Sequence, residues 1–217
     1  MDLLLLCRAE SEAVVAGLVE GGRGWSLTPE GERQAERLGA RLAHADRIVA
    51  LYTSPLEEAA TTAERVGQAI GLLPVVLPDL REVDSGELAG RPRQAVRLDE
   101  VGSPRAADIF TPFPGGEAYA EMHVRVVKAI NALVQEAAGQ TIAVVTHPGP
   151  IQAYLLAFLR YAIEQRSELR LCCDPASLHH LRRREDGRKE IVRLNDVGRE
   201  SSIVNRQSQI GDVDAVE

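Results

Sequence analysis

The sequence predicts an α/β protein: a three-layer α/β/α sandwich built around a mostly parallel central sheet. Three observations carry this. Short, unbroken apolar runs at 3–7, 48–53 and 141–146 have the length and solid hydrophobicity of strands covered on both faces. Segments with apolar residues at helical spacing alternate with them, the pattern of crossover-connected strands. Helix start and stop signals sit at the junctions. The chain has 217 residues, 45% of them hydrophobic. That suits one domain with a core large enough to need neither metal nor disulfide support.

Taken in order, the first strand is 3–7, followed by an irregular stretch whose clearest loop signal is Gly21-Gly22-Arg23-Gly24. Thr28-Pro29-Glu30 opens a helix with an N-cap hydroxyl, proline at the first helical position and acid in the first turn. Ala35, Leu38 and Leu42 form its apolar face. After the strand at 48–53, Ser54-Pro55-Leu56-Glu57 reads as a capping box with Pro55 at the first helical position, and Gly71 closes that helix.

A third strand is expected at 74–77. Residues 80–116 lack periodicity and form a long excursion of the functional kind. A helix at 117–138 follows, with Val127, Ile130 and Val134 aligned and Gly139 as its stop. The strand at 141–146 leads through a His147-Pro148-Gly149-Pro150 turn to an apolar helix at 151–163. A hairpin closes the fold, with strands near 177–183 and 190–194 around Glu185-Asp186-Gly187; Arg182–Arg184 read as its solvated tip. The expected domain is 1–196, and 197–217 is expected to be a polar tail.

Composition narrows the function classes. A net charge of −7 and 4% aromatics exclude a basic or base-stacking surface for nucleic acid and a basic patch for anionic membrane. No run approaches the ~20 apolar residues of a membrane span. The short run Leu3–Leu6 follows Asp2 and lacks the basic start of a leader, so a cytoplasmic location is expected. Three cysteines, Cys7, Cys172 and Cys173, show no C-x-x-C spacing and read as reduced thiols, with no metal site. His179-His180 lie on a strand, where alternation sends them to opposite faces, a poor arrangement for a metal. No cofactor is expected.

In open α/β sheets the functional groups gather at the carboxyl ends of the strands. Three such ends stand out: Cys7-Arg8-Ala9-Glu10, Thr53-Ser54-Pro55 and Thr146-His147. Together with Leu27-Thr28-Pro29-Glu30-Gly31, Leu51-Tyr52-Thr53-Ser54-Pro55-Leu56, Leu80-Arg81-Glu82, Pro114-Gly115-Gly116-Glu117 and Val144-Val145-Thr146-His147, they resemble the histidine phosphatase superfamily, the fold of cofactor-dependent phosphoglycerate mutases. The resemblance spans about residues 1–196. It implies a histidine on the first strand end that attacks phosphorus, two arginines and a second histidine on the phosphoryl oxygens, and an acid on the loop after the third strand.

This chain departs from that set. Without a gap, Cys7 stands in place of the phosphate arginine and Arg8 in place of the nucleophilic histidine; with a one-residue gap, Arg8 keeps the arginine role and Ala9 takes the nucleophile's place. Either way none of the five histidines (His44, His123, His147, His179, His180) lies on the first strand. Glu58 stands in place of the second arginine, Val14 in place of the usual asparagine, and Pro148 in place of a glycine, which removes an N–H from the anion pocket. The resemblance leaves His147 and Glu82 as the candidate acid/base residues, with Cys7, Arg8, Glu58 and Pro148 lining the family's site. Arg8 and Glu58 are expected to pair across it.

Blander readings stand beside these. His147 serves equally as a hydrogen-bonding remnant, Glu82 as a solvated loop carboxylate, and Cys7 as a buried inert thiol. Two function classes follow: a non-catalytic binding or regulatory module, or an enzyme. The enzyme would be either a phosphomonoesterase or mutase, or one repurposed around His147 and Glu82. The partner is a small anionic ligand or a protein that the sequence does not name, and a homodimer fits the resemblance.

Overall fold

Both faces of the first strand are covered, and this explains its unbroken apolar run. In the computed structural model, which describes residues 1–44, 48–96, 108–169 and 171–198, β1 (Asp2–Cys7) lies inside a six-stranded sheet. The other strands are β2 (Ile48–Thr53), β3 (Val75–Val76), β4 (Thr141–Thr146), β5 (Leu178–Arg183) and β6 (Lys189–Asp196). The sheet order is β3-β2-β4-β1-β5-β6. β1, β2, β3 and β4 are mutually parallel, whereas β5 and β6 add as an antiparallel hairpin on β1.

Strand alternation divides the core. Leu3, Leu5 and Cys7 face a layer of Met122, Val126, Ile130, Ile151, Tyr154 and Leu155 from α4 (Tyr119–Glu136) and α5 (Pro148–Leu159). Leu4 and Leu6 face Ala35, Leu38, Ala59, Ala63 and Val66 from α2 (Pro29–Ala43) and α3 (Glu57–Ile70). A single turn of helix, α1 (Glu12–Val15), lies in the loop after β1 and carries no sequence signal strong enough to have marked it. The excursion at 80–116 contains two short 3-10 turns, Gly86–Leu88 and Arg93–Ala95; its residues 97–107 lie outside the described set. The expected tail likewise falls on residues not described beyond Gly198.

Two junctions differ from the sequence reading. Ser54 does not cap α3: the helix begins at Glu57 after Leu56, and no side chain caps it. The Ser54 hydroxyl instead accepts the Leu56 N–H at 3.2 Å and is otherwise engaged at the strand ends. The His147-Pro148-Gly149-Pro150 segment is not a turn before a helix. It is the first turn of α5, which runs to Leu159 and stops at Arg160 in the left-handed region, so the expected 151–163 helix is displaced by about a turn. Proline is compatible with the first turn because its missing N–H would have no intrahelical partner.

The start of α2 is pressed onto the loop that follows β1. Thr28 caps α2 by accepting the Gly31 N–H at 2.9 Å, and its hydroxyl donates to Glu10 at 2.7 Å. A Cβ at Gly31 would come within 2.0 Å of the Glu10 carbonyl oxygen. Gly31→Ala is therefore expected to destabilise by about 2 kcal/mol, within the range for overpacking a tight contact. Thermal unfolding should show a Tm lower by roughly 4–8 °C for a domain of this size.

Candidate functional site

Three adjacent strand ends bring the site residues together. The Arg8 N–H donates to the Thr146 carbonyl at 2.7 Å, and the Ser54 N–H donates to the Val145 carbonyl at 3.1 Å. Arg8, His147 and Ser54 therefore leave β1, β4 and β2 side by side. On the far side of Arg8, the Ala9 N–H donates to Thr62 of α3 at 3.0 Å.

Arg8 is only 3% exposed, and a charge so buried requires an anion. Glu20 supplies it in a two-pronged contact: Arg8 Nη2 donates to both carboxylate oxygens, at 2.7 and 2.9 Å. The same carboxylate accepts from Ser11 and Arg93. This corrects the expected pairing. The guanidinium is taken up by Glu20, and Glu58 acts on it only through its field. Glu20 lies in the irregular stretch before Gly21, where no spacing or cap singles it out. It is held there by Ser85, whose hydroxyl donates to the Glu20 carbonyl at 2.7 Å, and by Gly21 at φ +93°, where a Cβ would strike the Val83 carbonyl.

Glu58, on α3, is fully buried. One of its oxygens accepts the Trp25 N–H at 2.8 Å, and the other, Oε1, lies 3.5 Å from His147 Nδ1. Burial pushes its carboxyl up to about 7, against the lowering effect of its backbone hydrogen bonds and of Arg8. His147 is also buried, and its Nε2 lies 2.7 Å from the Ser54 hydroxyl. Burial, and then the Arg8 and Arg125 guanidiniums, hold His147 well below the ordinary imidazole value, so the ring is neutral.

Glu82 is not the solvated loop carboxylate of the bland reading. It is 9% exposed and docks on the start of α5, accepting the Gly149 N–H at 2.9 Å and the Val83 N–H at 2.8 Å. Burial raises its carboxyl value despite these bonds. A Cβ at position 149 would sit 2.0 Å from Glu82 Oε1, so glycine is what lets the carboxylate approach the helix end. Cys7 points to the opposite face of β1, toward Cys173, and burial pushes its thiol up to about 12. That is the behaviour of a packed thiol rather than a nucleophile.

A cavity of about 530 Å³ opens beside these residues, lined by Glu20, Glu82, Pro148, Gly149, Tyr119 and Arg166 among others. Arg166 stacks on the Tyr119 ring with its guanidinium carbon 4.1 Å from the centroid. Among the described residues no group of three His, Cys, Asp or Glu is placed to hold a metal ion, and no helix is long and apolar enough to cross a membrane.

Two consequences can be measured. Glu20→Ala leaves the Arg8 charge buried without its carboxylate and should cost about 3–5 kcal/mol in chemical denaturation. Glu58 has a raised value in the fold, so its contribution is fully present below about 4.5 and is lost as pH rises through about 7. Glu58→Gln, which carries no titratable proton, should gain Tm relative to the native chain between pH 5 and 8. The displacement from 4.5 to about 7 sets an upper bound of about 3 kcal/mol on the gain.

Comparison with known proteins agrees with this fold. The family model described as histidine phosphatase superfamily (branch 1) matches residues 3–197. The chain is 30% identical over 200 residues to the bifunctional protein Rv2228c of Mycobacterium tuberculosis, covering 90% of this chain but 54% of that one, so it spans about half the length of that relative. It is 31% identical over 178 residues to a probable phosphoglycerate mutase, GpmB, of Cronobacter sakazakii, covering 79% and 82% of the two chains. Among solved structures, a mycobacterial glucosyl-3-phosphoglycerate phosphatase superposes with a TM-score of 0.80 at 22% identity, covering 90% of this chain and 99% of that one. The fold, the order of the motifs and the family match agree: the chain belongs to the histidine phosphatase superfamily.

Proposed function

We propose that the chain is a binding or regulatory module that keeps the histidine-phosphatase fold and does not carry out phosphoryl transfer. One observation carries this reading. Glu58, a carboxylate, is buried beside His147 where the family resemblance places a phosphate-binding arginine. A negative or proton-sharing carboxyl there repels a phosphoryl group instead of neutralising it. Two further features support it. The first strand runs into Arg8-Ala9 with no histidine there, and Glu20 already occupies the Arg8 guanidinium. Pro148 gives no N–H to an anion at the start of α5. The cavity of about 530 Å³ is where a small ligand would bind.

The rival reading is a phosphomonoesterase or mutase. Its support is that similar chains carry such names, including phosphoserine phosphatase 1 of Hydrogenobacter thermophilus, 27% identical over 203 residues. A panel of phosphomonoesters separates the two. The native chain is expected to show no turnover and to form no phosphohistidine. A variant with Arg at 7, His at 8 and Arg at 58, tested with and without Pro148→Gly, is expected to gain hydrolysis. Robust hydrolysis by the native chain that disappears in His147→Ala would overturn the proposal.

A further inference from the structure

We propose that Ser54, His147 and Glu58 form a serine-hydrolase site acting on uncharged carboxylic esters, with Ser54 as nucleophile, His147 as general base and Glu58 as the residue that positions the imidazole. The inference goes beyond a binding role and shares with it only the loss of phosphoryl transfer.

The contacts run in the order that such chemistry needs. Ser54 Oγ lies 2.7 Å from His147 Nε2, and His147 Nδ1 lies 3.5 Å from Glu58 Oε1. Glu58 Oε1 is buried and makes no hydrogen bond among the described residues, while its other oxygen is held by the Trp25 N–H. Once Glu58 is ionised, as pH rises through about 7, its carboxylate can only accept, so the ring proton that suits it belongs on Nδ1. Nε2 is then an acceptor, and the Ser54 hydroxyl donates to it. This is the tautomer that readies a serine for attack. The three groups come from β2, β4 and α3, which are fixed to one another by sheet bonds and by packing of the helix on the sheet. The chain thus has the parts for acyl transfer without any residue on β1 acting as nucleophile.

The step balances. Ser54 Oγ bonds to the ester carbonyl carbon as its proton passes to His147 Nε2. The Arg8 Nε–H, buried and without an acceptor among the described residues, is the donor assigned to the developing oxyanion. His147 then protonates the alcohol oxygen as its bond to the acyl carbon breaks. Water adds to the acyl-serine, its proton going to Nε2. The acyl–Oγ bond then breaks, releasing a carboxylic acid, and Nε2 returns the proton to Ser54. An uncharged acyl group is favoured because Glu58 borders the site and Glu20 and Glu82 line the approach; these disfavour a phosphate dianion.

Access runs through the Arg8–Glu20 bridge. Ser54, His147 and Glu58 are all closed to solvent, whereas Glu20 and the neighbour of His147, Pro148, line the 530 Å³ cavity. Glu20 both walls the cavity and clamps Arg8, so opening that contact admits the ester.

The full-length chain is treated with an uncharged fluorophosphonate probe, and the adduct is mapped by peptide mass spectrometry alongside p-nitrophenyl acetate turnover. The expected result is a single adduct on Ser54, absent in Ser54→Ala and slowed by about 100-fold or more in His147→Gln, the usual scale for a lost general base. Glu58→Gln should slow labelling without lowering Tm, Glu58→Asp should recover part of the rate, and Glu20→Gln should speed it. An adduct that persists in Ser54→Ala overturns the proposal. So does a lack of any Ser54 adduct in both the native chain and Glu20→Gln, with circular dichroism showing both folded. Phosphomonoester turnover through phosphohistidine would sink the binding-module reading without touching the Ser54 result, so the two can fail separately.

Discussion

A guanidinium placed at the end of a central strand, with almost no solvent, must be matched by a carboxylate from somewhere in the chain. In this protein the match is Glu20, thirteen residues beyond the last residue of β1, and much of the surrounding architecture follows from bringing it there. The loop after β1 turns back on itself. Its Gly21 packs against the Val83 carbonyl, and Ser85 ties the Glu20 backbone down from the opposite wall. Arg93 reaches the same carboxylate from the excursion, joining two irregular segments through one anion. Net stabilisation from such a pair is small, since desolvation offsets attraction, but it fixes how these loops are arranged.

That arrangement also sets the protonation states nearby. Arg8 lowers the affinity of His147 for a proton while favouring the charged form of Glu58, and burial works against charge on both. The outcome is a neutral ring beside a carboxyl that titrates near neutrality. Glu82 is handled differently. It is nearly as dry, but one of its oxygens accepts the Gly149 N–H in the first turn of α5 and the other the N–H of its own neighbour Val83. Three carboxylates thus share one end of the sheet in three different electrostatic settings, set by a guanidinium, an imidazole and a helix end.

The layers of the fold were legible in the sequence because they depend on repeated physical signals. The unbroken run of β1 reflects cover on both faces, and the Thr28-Pro29 start and Gly71 stop reflect hydrogen-bond needs at helix ends. The candidate site was legible only in part. Arg8, Glu58, Glu82 and His147 could be placed at strand ends by order along the chain, but which charge meets which depends on loop paths that leave no periodic trace. Glu20 was missed for that reason. Ser54 reads as a helix cap because Ser-Pro-x-Glu satisfies the local rule, whereas the imidazole at the end of the adjacent strand β4 competes for the hydroxyl and wins. Pro148 was placed in a turn because two prolines around a glycine suggest one; as the first residue of α5 it meets no steric penalty.

The proline at the head of α5 makes the present state hard to leave by small steps. Its ring fixes one backbone angle and offers no hydrogen to a bound anion, so placing a histidine or an arginine at the strand ends adds charge without adding that donor. Replacing Pro148 first would loosen a helix start on which Glu82 rests, with no ligand yet bound to offset the loss. The missing donor at the head of α5 and the carboxylate that rests beside it are thus coupled, and the chemistry of the pocket is set by the two together.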